Sequence, residues 1–188
     1  MSVTFEGRNG IAVDQLTETI RAIGDNAALG EFTFRSTTEW RSGTHNTGRI
    51  HPFTHAGQTD SSRSGPFILE GDEPPVLLGS NTGPNAVELV LQALGFCYAV
   101  GYVANAAALG IDLSSLEIDV DGDLDVRPFL GLDGPRAGFT AVRARLRVDS
   151  PNASREQLEE LCRYVERTSP VRDCLTEPVP IQTTLEAR

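Results

Sequence analysis

The strongest constraint in this 188-residue chain is one long apolar segment, residues 86–109, with the sequence AVELVLQALGFCYAVGYVANAAAL. As an α-helix it spans about 36 Å. That length suits a membrane span, but Glu88, Gln92 and Asn105 interrupt the segment and no arginine cluster flanks it. We therefore predict a helix buried in the core of a protein, capped at its start by Asn85 with Glu88 and followed by Gly110.

The charge of the chain excludes several classes of partner. Its 16 basic residues, all of them arginine, are outnumbered by 26 acidic ones, which gives a net charge of -10. Such a chain repels phosphate backbones and anionic lipid head groups, so we expect neither nucleic acid nor a membrane as a partner. The lack of lysine also excludes Schiff-base chemistry and P-loop phosphate binding.

Three cysteines, Cys97, Cys162 and Cys174, form an odd set without a C-x-x-C pair. This pattern predicts neither a disulfide framework nor a cysteine zinc site. The N-terminus shows no basic region followed by an apolar core, so we expect no secretory signal and a cytoplasmic protein with reduced thiols.

The order of elements predicts an α+β fold with antiparallel sheet, forming one domain over residues 1–188. A strand hairpin turns at Gly43, and residues 58–83 are loop-like apart from a short apolar stretch at 67–69. The remaining predicted elements are a helix over 11–29, the long helix, strands over 113–126 and 139–148, a helix from Ser154 to about Thr168, and a strand over 178–186.

The predicted strand 139–148 alternates apolar residues with Arg143, Arg145 and Arg147. A half-solvated antiparallel strand requires this alternation. On an acidic chain, the arginines are expected to pair across the sheet with acidic residues of the preceding strand, Asp119, Asp121 and Asp123.

Cys97 lies on a narrow helical stripe of small residues, and two readings of it stay open. Cys97 is either a small apolar filler where two helices cross, or a reactive thiolate. A thiolate needs a positive partner, and the helix dipole cannot supply it because Cys97 lies about 18 Å along the axis from Asn85. The candidate partners on the preceding hairpin are Arg35, Arg41 and Arg49.

Two segments, GPNAVEL (83–89) and ALGFCYA (93–99), resemble the central helix of the OsmC/Ohr superfamily of thiol-dependent peroxidases. The hairpin EWRSG (39–43), the late turn SPVRD (169–173) and the element order fit as well, so the resemblance covers roughly residues 31–187 and leaves 1–30 as an N-terminal helical extension. It implies an intertwined homodimer, with two long central helices packed against curved antiparallel sheets and active sites made from both subunits.

The resemblance also implies an activity. Cys97 would attack a peroxide oxygen and become a sulfenic acid, which a second cysteine at the late turn converts to a disulfide. Arg41 matches the hairpin arginine that stabilises the thiolate and guides the peroxide. Apolar walls around Cys97 would favour organic hydroperoxides as substrates, with an external thiol as reductant and no cofactor.

This chain departs from the family pattern at two positions. Ser169 stands where active members have the second cysteine, and Val87 stands where members have a glutamate that pairs with the hairpin arginine. Cys174, five residues after Ser169, is either a displaced resolving thiol or a buried cysteine behind the turn, whereas Cys162 fits the core. The alternative function is therefore a non-peroxidatic family member that binds a small apolar ligand in a cavity near Cys97.

The three histidines, His45, His51 and His55, lie close together in the sequence, and His51 and His55 are predicted to share one strand face. A zinc or iron site would need three or four such donors with supporting groups. No H-E-x-x-H motif or cysteine accompanies them. We therefore expect polar loop histidines at a dimer surface and no metal.

Overall fold

The computed structural model describes residues 7–187, so the first six residues of the predicted N-terminal extension lie outside it. The chain forms two compact units. The N-terminal unit comprises residues 12–90, and the C-terminal unit comprises residues 91–187 together with 7–11. The single domain over 1–188 stays a prediction.

The N-terminal unit begins with the helix α1 (Val13–Asp25) and a short 3₁₀ helix (Ala27–Gly30). Two three-stranded antiparallel sheets follow, with strand orders β1-β4-β5 and β2-β3-β6. The first contains β1 (Phe32–Thr33), β4 (Thr54–His55) and β5 (Gln58–Thr59); the second contains β2 (Ser36–Ser42), β3 (His45–Ile50) and β6 (Phe67–Gly71).

The predicted hairpin is confirmed as β2 and β3. Gly43 has a φ of 56° at the bend, a left-handed conformation that glycine adopts without steric cost. The expected loop over 58–83 is wrong in part, because β6 pairs with β3 from Asn46↔Gly71 to Ile50↔Phe67. An apolar run beside the free edge of a hairpin gains backbone hydrogen bonds as a strand that it would lack in a loop.

A buried carboxylate, Asp72, holds the chain together after β6. Its Oδ1 accepts hydrogen bonds from the Thr44 hydroxyl (2.7 Å) and the Glu73 amide (2.8 Å). Its Oδ2 accepts them from the Ser80 amide (3.0 Å) and from the amide and hydroxyl of Thr82 (3.2 and 2.9 Å). The bond from Thr44, with those from Thr82 and Glu73, holds the pKa of Asp72 well below its usual range.

The C-terminal unit contains most of the long helix α2 (Ala86–Ala108), then β7 (Ser115–Asp123), β8 (Ala141–Asp149), α3 (Arg155–Thr168) and α4 (Pro170–Thr176). The predicted cap of α2 is confirmed: the Asn85 amide donates to Glu88 Oε2 at 2.8 Å, and the Glu88 amide donates to Asn85 Oδ1 at 2.9 Å. Ser154 and Gln157 form a capping box at the start of α3.

One face of α2 forms the core of this unit. Leu94, Tyr98, Tyr102 and Ala106, four residues apart, are buried against Leu161 and Val165 of α3 and the inner side of the β7–β8 hairpin. Cys162 packs against the same cluster, as predicted. Gly101 allows the approach of α3, because an added Cβ would lie 3.2 Å from Val165 Cγ1.

The opposite face of α2 is exposed within the described chain, so the predicted burial holds for one face only. Phe96 is 65% exposed and Val100 is 71% exposed. With a mean hydropathy of 1.6 over 18 residues, α2 is also long and apolar enough to cross a membrane, a property that core helices of soluble proteins share.

The predicted charge pairing across β7 and β8 is confirmed for Arg143 and Arg147, whereas Arg145 forms no salt bridge within the described residues. Arg143 forms salt bridges with Asp121 and Asp123, and Arg147 forms them with Glu117 and Asp119. The carboxylates raise the pKa values of both guanidinium groups. These pairs are exposed, so each contributes little to stability and the ladder mainly keeps this face polar.

The predicted strand over 178–186 is wrong, because these residues have no regular secondary structure. Pro178 and Pro180 remove two backbone donors from the segment, which disfavours a strand. The sequence analysis also missed α4. Ser169 caps this helix and Pro170 occupies its first position, where a missing amide costs nothing.

We predict that Asp72→Asn lowers the urea midpoint of unfolding at pH 7, because an amide cannot accept all five hydrogen bonds. The pKa of Asp72 is depressed in the fold, so its stabilisation is complete above the ordinary value of 3.8 and is lost as the pH falls through the folded value. The difference in urea midpoint between the wild type and Asp72→Asn should therefore become smaller below about pH 4.

The matched control is Asp133→Asn, which makes the same change at an exposed position. It should leave the midpoint unchanged. Equal midpoints for wild type and Asp72→Asn at pH 7 would contradict the assigned role of this carboxylate.

Candidate functional site

Cys97 lies at the boundary between the buried and the exposed face of α2. It follows the exposed Phe96 and precedes the buried Tyr98, and it is itself half-buried. A helix turns by about 100° per residue, which places the thiol at the edge of the core. This half-buried position is compatible with both open readings of Cys97, a small apolar filler where two helices cross and a reactive thiolate.

The sulfur of Cys97 contacts Ser169, the residue that caps the start of α4. Cys97 Sγ and Ser169 Oγ are 3.1 Å apart. Ser169 is only 5% exposed, and it is fixed there because α3 ends at Thr168 and α4 begins at Pro170. The resemblance pointed to both residues, and the structure brings them together.

Either atom can donate the hydrogen bond between Cys97 and Ser169 while Cys97 is a thiol, but only the hydroxyl can donate once the sulfur is ionised. Ser169 Oγ accepts from the Arg172 amide at 3.2 Å, as the cap of α4. A hydroxyl has one proton to donate, and that proton is free to point toward the sulfur while a lone pair serves the amide. Ser169 can therefore stabilise a negative charge on Cys97 or on an oxygen bound to it.

The other two cysteines lie in different surroundings. Burial, together with the charge of Glu166, raises the pKa of the Cys162 thiol, which disfavours the thiolate at neutral pH. Cys174 is exposed on α4, so the alternative that it is buried behind the turn is wrong.

Two tyrosines of α2 line the core beside this region. Burial raises the pKa of Tyr102 to about 12, and its hydroxyl donates to the Leu158 carbonyl at 3.0 Å. Burial, with a further effect of Glu166, also raises the pKa of Tyr98. Both phenols stay protonated at neutral pH, so neither serves as a base for a thiol.

Arg41 lies on β2 of the N-terminal unit and is held by two partners. Its guanidinium forms a salt bridge with Glu39 at 2.9 Å and donates from Nε to the Thr47 hydroxyl at 3.0 Å. Thr47 is buried and donates in turn to Glu70 at 3.0 Å. The hydrogen bonds from His45 and Thr47 lower the pKa of Glu70, so an ionised carboxylate anchors this network.

Glu39 is the residue that sequence reasoning missed. With Val87 in place of the family glutamate, the hairpin arginine was expected to lack a carboxylate partner, but Glu39 binds Arg41 and also Arg49 (3.0 Å). The signal was present, because residues two apart on a strand point to the same side. Arg35 donates to Thr54 instead, at 2.7 Å.

Arg41 and Cys97 belong to different units, so the contact between them stays a prediction. The same holds for Arg35 and Arg49 as alternatives. What the N-terminal unit provides is an arginine whose guanidinium is fixed in orientation by Glu39 and Thr47.

The prediction that His51 and His55 share one strand face is wrong, because His51 follows the end of β3 and His55 is in β4. Each has a separate partner. His45 pairs with Glu70 at 2.8 Å, His51 with the Thr37 hydroxyl at 2.8 Å, and His55 with the Leu29 carbonyl at 2.7 Å. Among residues 7–187, no group of three or more histidine, cysteine or acidic side chains could hold a metal ion.

Three cavities of the described chain are large enough to hold a small ligand. In the N-terminal unit, a cavity of about 590 Å³ lies between β2, β3, β6 and the start of α2, and Thr38, Arg49 and Leu89 help to line it. In the C-terminal unit, a cavity of about 510 Å³ is lined by Asn105, Leu109 and Tyr164. A third cavity, of about 740 Å³, lies in the same unit and is lined in part by Tyr102 and Cys162. Cys97 lines none of these three cavities.

The sequence matches the model of the OsmC-like protein family over residues 79–184. No curated protein matches it.

Solved structures with a similar fold include an OsmC-like protein from Mycoplasma pneumoniae, with a TM-score of 0.58 and 18% identity over 78% of this chain and 89% of that one. An organic hydroperoxide resistance protein from Legionella pneumophila has a TM-score of 0.53 and 14% identity, over 77% and 89% of the two chains. One from Elizabethkingia anophelis has a TM-score of 0.54 and 14% identity, over 78% and 89%. At these identities, the likeness confirms the α+β fold with antiparallel sheets and carries no activity.

Proposed function

This chain belongs to the OsmC-like proteins, and from that premise we propose that it is a thiol-dependent peroxidase that reduces organic hydroperoxides at Cys97. The observation that carries the proposal is the half-buried thiol at the edge of the core, with the hydroxyl of Ser169 3.1 Å from its sulfur. A thiol in this position combines access for a small substrate with a hydrogen-bond donor for a negative sulfur.

The proposed reaction begins with the Cys97 thiolate. The sulfur attacks the distal oxygen of the hydroperoxide, an S–O bond forms and the O–O bond breaks. The alkoxide leaves and takes a proton to become an alcohol, while Cys97 becomes a sulfenic acid. The exposed apolar side chain of Phe96, next to Cys97 in the sequence, supports an organic substrate over hydrogen peroxide.

We assign to Arg41 the stabilisation of the thiolate and of the developing alkoxide. Its pairing with Glu39 and Thr47 supports this role, because a guanidinium held in one orientation loses less entropy when it binds a substrate. The assignment requires Arg41 to reach Cys97, in the same subunit or across a dimer.

We also propose a homodimer in which the exposed face of α2 is covered by the second copy. Phe96 and Val100 on this face are both large, apolar and exposed, and covering them would bury apolar area at about 25 cal/mol per Å². The proposal extends to a cytoplasmic protein of the oxidative stress response, since its three free thiols suit a reducing compartment. Cell fractionation that recovers the protein outside the cytoplasm would reject this location.

We predict that Cys97→Ser abolishes consumption of cumene hydroperoxide, measured by stopped flow, because an alcohol is not a nucleophile at neutral pH. Cys162→Ser is the matched control and should retain activity, since the Cys162 thiol is held protonated by burial. The alternative function, a binding protein for a small apolar ligand, predicts no peroxide consumption by the wild type and therefore no effect of Cys97→Ser.

We predict that Arg41→Gln lowers kcat/KM for cumene hydroperoxide by about 10²-fold, as loss of one electrostatic stabiliser does elsewhere. Arg49→Gln is the matched control, because Arg49 lies on the same hairpin and binds the same Glu39. A loss of activity in Arg49→Gln alone would transfer the role to Arg49. Equal activity of the wild type and both variants would reject the role of a hairpin arginine.

We predict that Val100→Asp shifts the protein from dimer to monomer in sedimentation equilibrium, because the charge would be desolvated in the interface. Val76→Asp places the same charge at an 85% exposed position in the N-terminal unit and should leave the dimer intact. A wild type that sediments as a monomer would exclude the proposed assembly.

A further inference from the structure

We infer that Ser169 is a positioning residue that holds the oxidised Cys97 as a sulfenic acid, so that an external low-molecular-weight thiol, and not a second cysteine of the chain, completes the reaction cycle. This inference rests on the proposed function and specifies how the same site is reduced. Its basis is the contact between Ser169 Oγ and Cys97 Sγ.

The hydroxyl of Ser169 is suited to this role by its burial and its fixed orientation. Ser169 is 5% exposed, and its oxygen is held by the Arg172 amide as the cap of α4. The hydroxyl can therefore turn its hydrogen bond from the sulfur to an oxygen added to that sulfur, without a change in the backbone. A hydrogen bond from Ser169 to the sulfenic oxygen stabilises the sulfenic acid and slows its further oxidation.

Helix geometry opposes resolution by Cys174. Cys174 follows Ser169 by five residues, which places it about 7.5 Å farther along the axis of α4. A disulfide needs Cα atoms roughly 4.4–6.8 Å apart, and Ser169 already fills the space beside the sulfur. Cys97 and Cys174 are both free thiols in the structure, so a disulfide between them would require α4 to shift or unwind.

Cys162 is opposed by its position and by its ionisation. It precedes Ser169 by seven residues, two turns back along α3, and it packs against the core cluster. Burial raises the pKa of its thiol, so little thiolate is present at neutral pH to attack a sulfenic sulfur.

The cycle then consumes two external thiols for each hydroperoxide. The first thiol attacks the sulfenic sulfur, forms a mixed disulfide with Cys97 and releases water. The second attacks the external sulfur of that mixed disulfide, which gives a free external disulfide and restores the Cys97 thiol. The hydroperoxide is reduced by two electrons, and the two external thiols supply them.

The first experiment treats the full-length wild type and Cys174→Ser with one equivalent of cumene hydroperoxide, followed by dimedone, which traps sulfenic acids. Intact mass and peptide mapping should show the same dimedone adduct at Cys97 in both proteins. Glutathione added in place of dimedone should give a mixed disulfide at Cys97 and sustain peroxide turnover in both.

The second experiment changes Ser169. Ser169→Ala should shorten the lifetime of the sulfenic acid against further peroxide by about tenfold, since the hydrogen bond to the sulfenic oxygen is lost. Ser169→Thr keeps the hydroxyl and the helix cap and should restore the lifetime, which separates the role in the site from a role in folding. Ser169→Cys places a thiol beside Cys97 and should convert the dimedone-reactive product into an internal disulfide.

The outcomes are distinguishable. A Cys97–Cys174 disulfide in the wild type that is lost in Cys174→Ser would overturn this inference and leave the proposed function standing. Equal lifetimes for the wild type and Ser169→Ala would overturn the role of the hydroxyl. If Cys97 stays a thiol after peroxide treatment, the proposed function fails, and the inference fails with it.

Discussion

The C-terminal unit depends on the packing of one face of α2 against α3 and the β7–β8 hairpin. Leu94, Tyr98, Tyr102 and Ala106 supply this face, and Gly101 lets Val165 approach closely. Burial of these side chains contributes more to the stability of this unit than the salt bridges on the outer side of the hairpin, because those salt bridges are exposed. The same packing fixes the rotation of α2, and with it the direction in which Cys97 points.

The chemistry of the site follows from that rotation. A cysteine on the centre of the buried face of α2 would be desolvated, which raises the pKa of a thiol and keeps it protonated. A residue on the exposed face would lack fixed neighbours. Cys97 lies between these two cases, where the end of α3 and the start of α4 bring Ser169 to the sulfur.

Features that depend on neighbouring residues could be predicted from the sequence. The caps of α2 and α3, the turn at Gly43 and the alternation of Arg143, Arg145 and Arg147 all follow from local spacing, and the structure confirms them. Cys97 and the late turn containing Ser169 were identified from the family resemblance, because short motifs shared with a family indicate site residues that composition does not.

Features that depend on partners far along the chain could not be predicted from the sequence. The strand β6 forms only because β3 offers a free edge, and the role of Asp72 depends on Thr44, 28 residues earlier. The segment 178–186 has apolar residues in a strand-like pattern, yet it has no regular structure. Glu39 was not predicted as the partner of Arg41, because the resemblance places the carboxylate at position 87 and not on the face of β2 that carries Arg41.

Ser169 serves two neighbours with a single oxygen, and this limits which residues the position can accept. As a helix cap alone, aspartate would suit α4 as well as serine does. A carboxylate 3 Å from the sulfur, however, would repel a thiolate and could offer it no proton. With Cys97 as the proposed thiolate, the junction of α3 and α4 is restricted to uncharged caps that carry a proton, a restriction imposed by a sulfur 72 positions away in the chain.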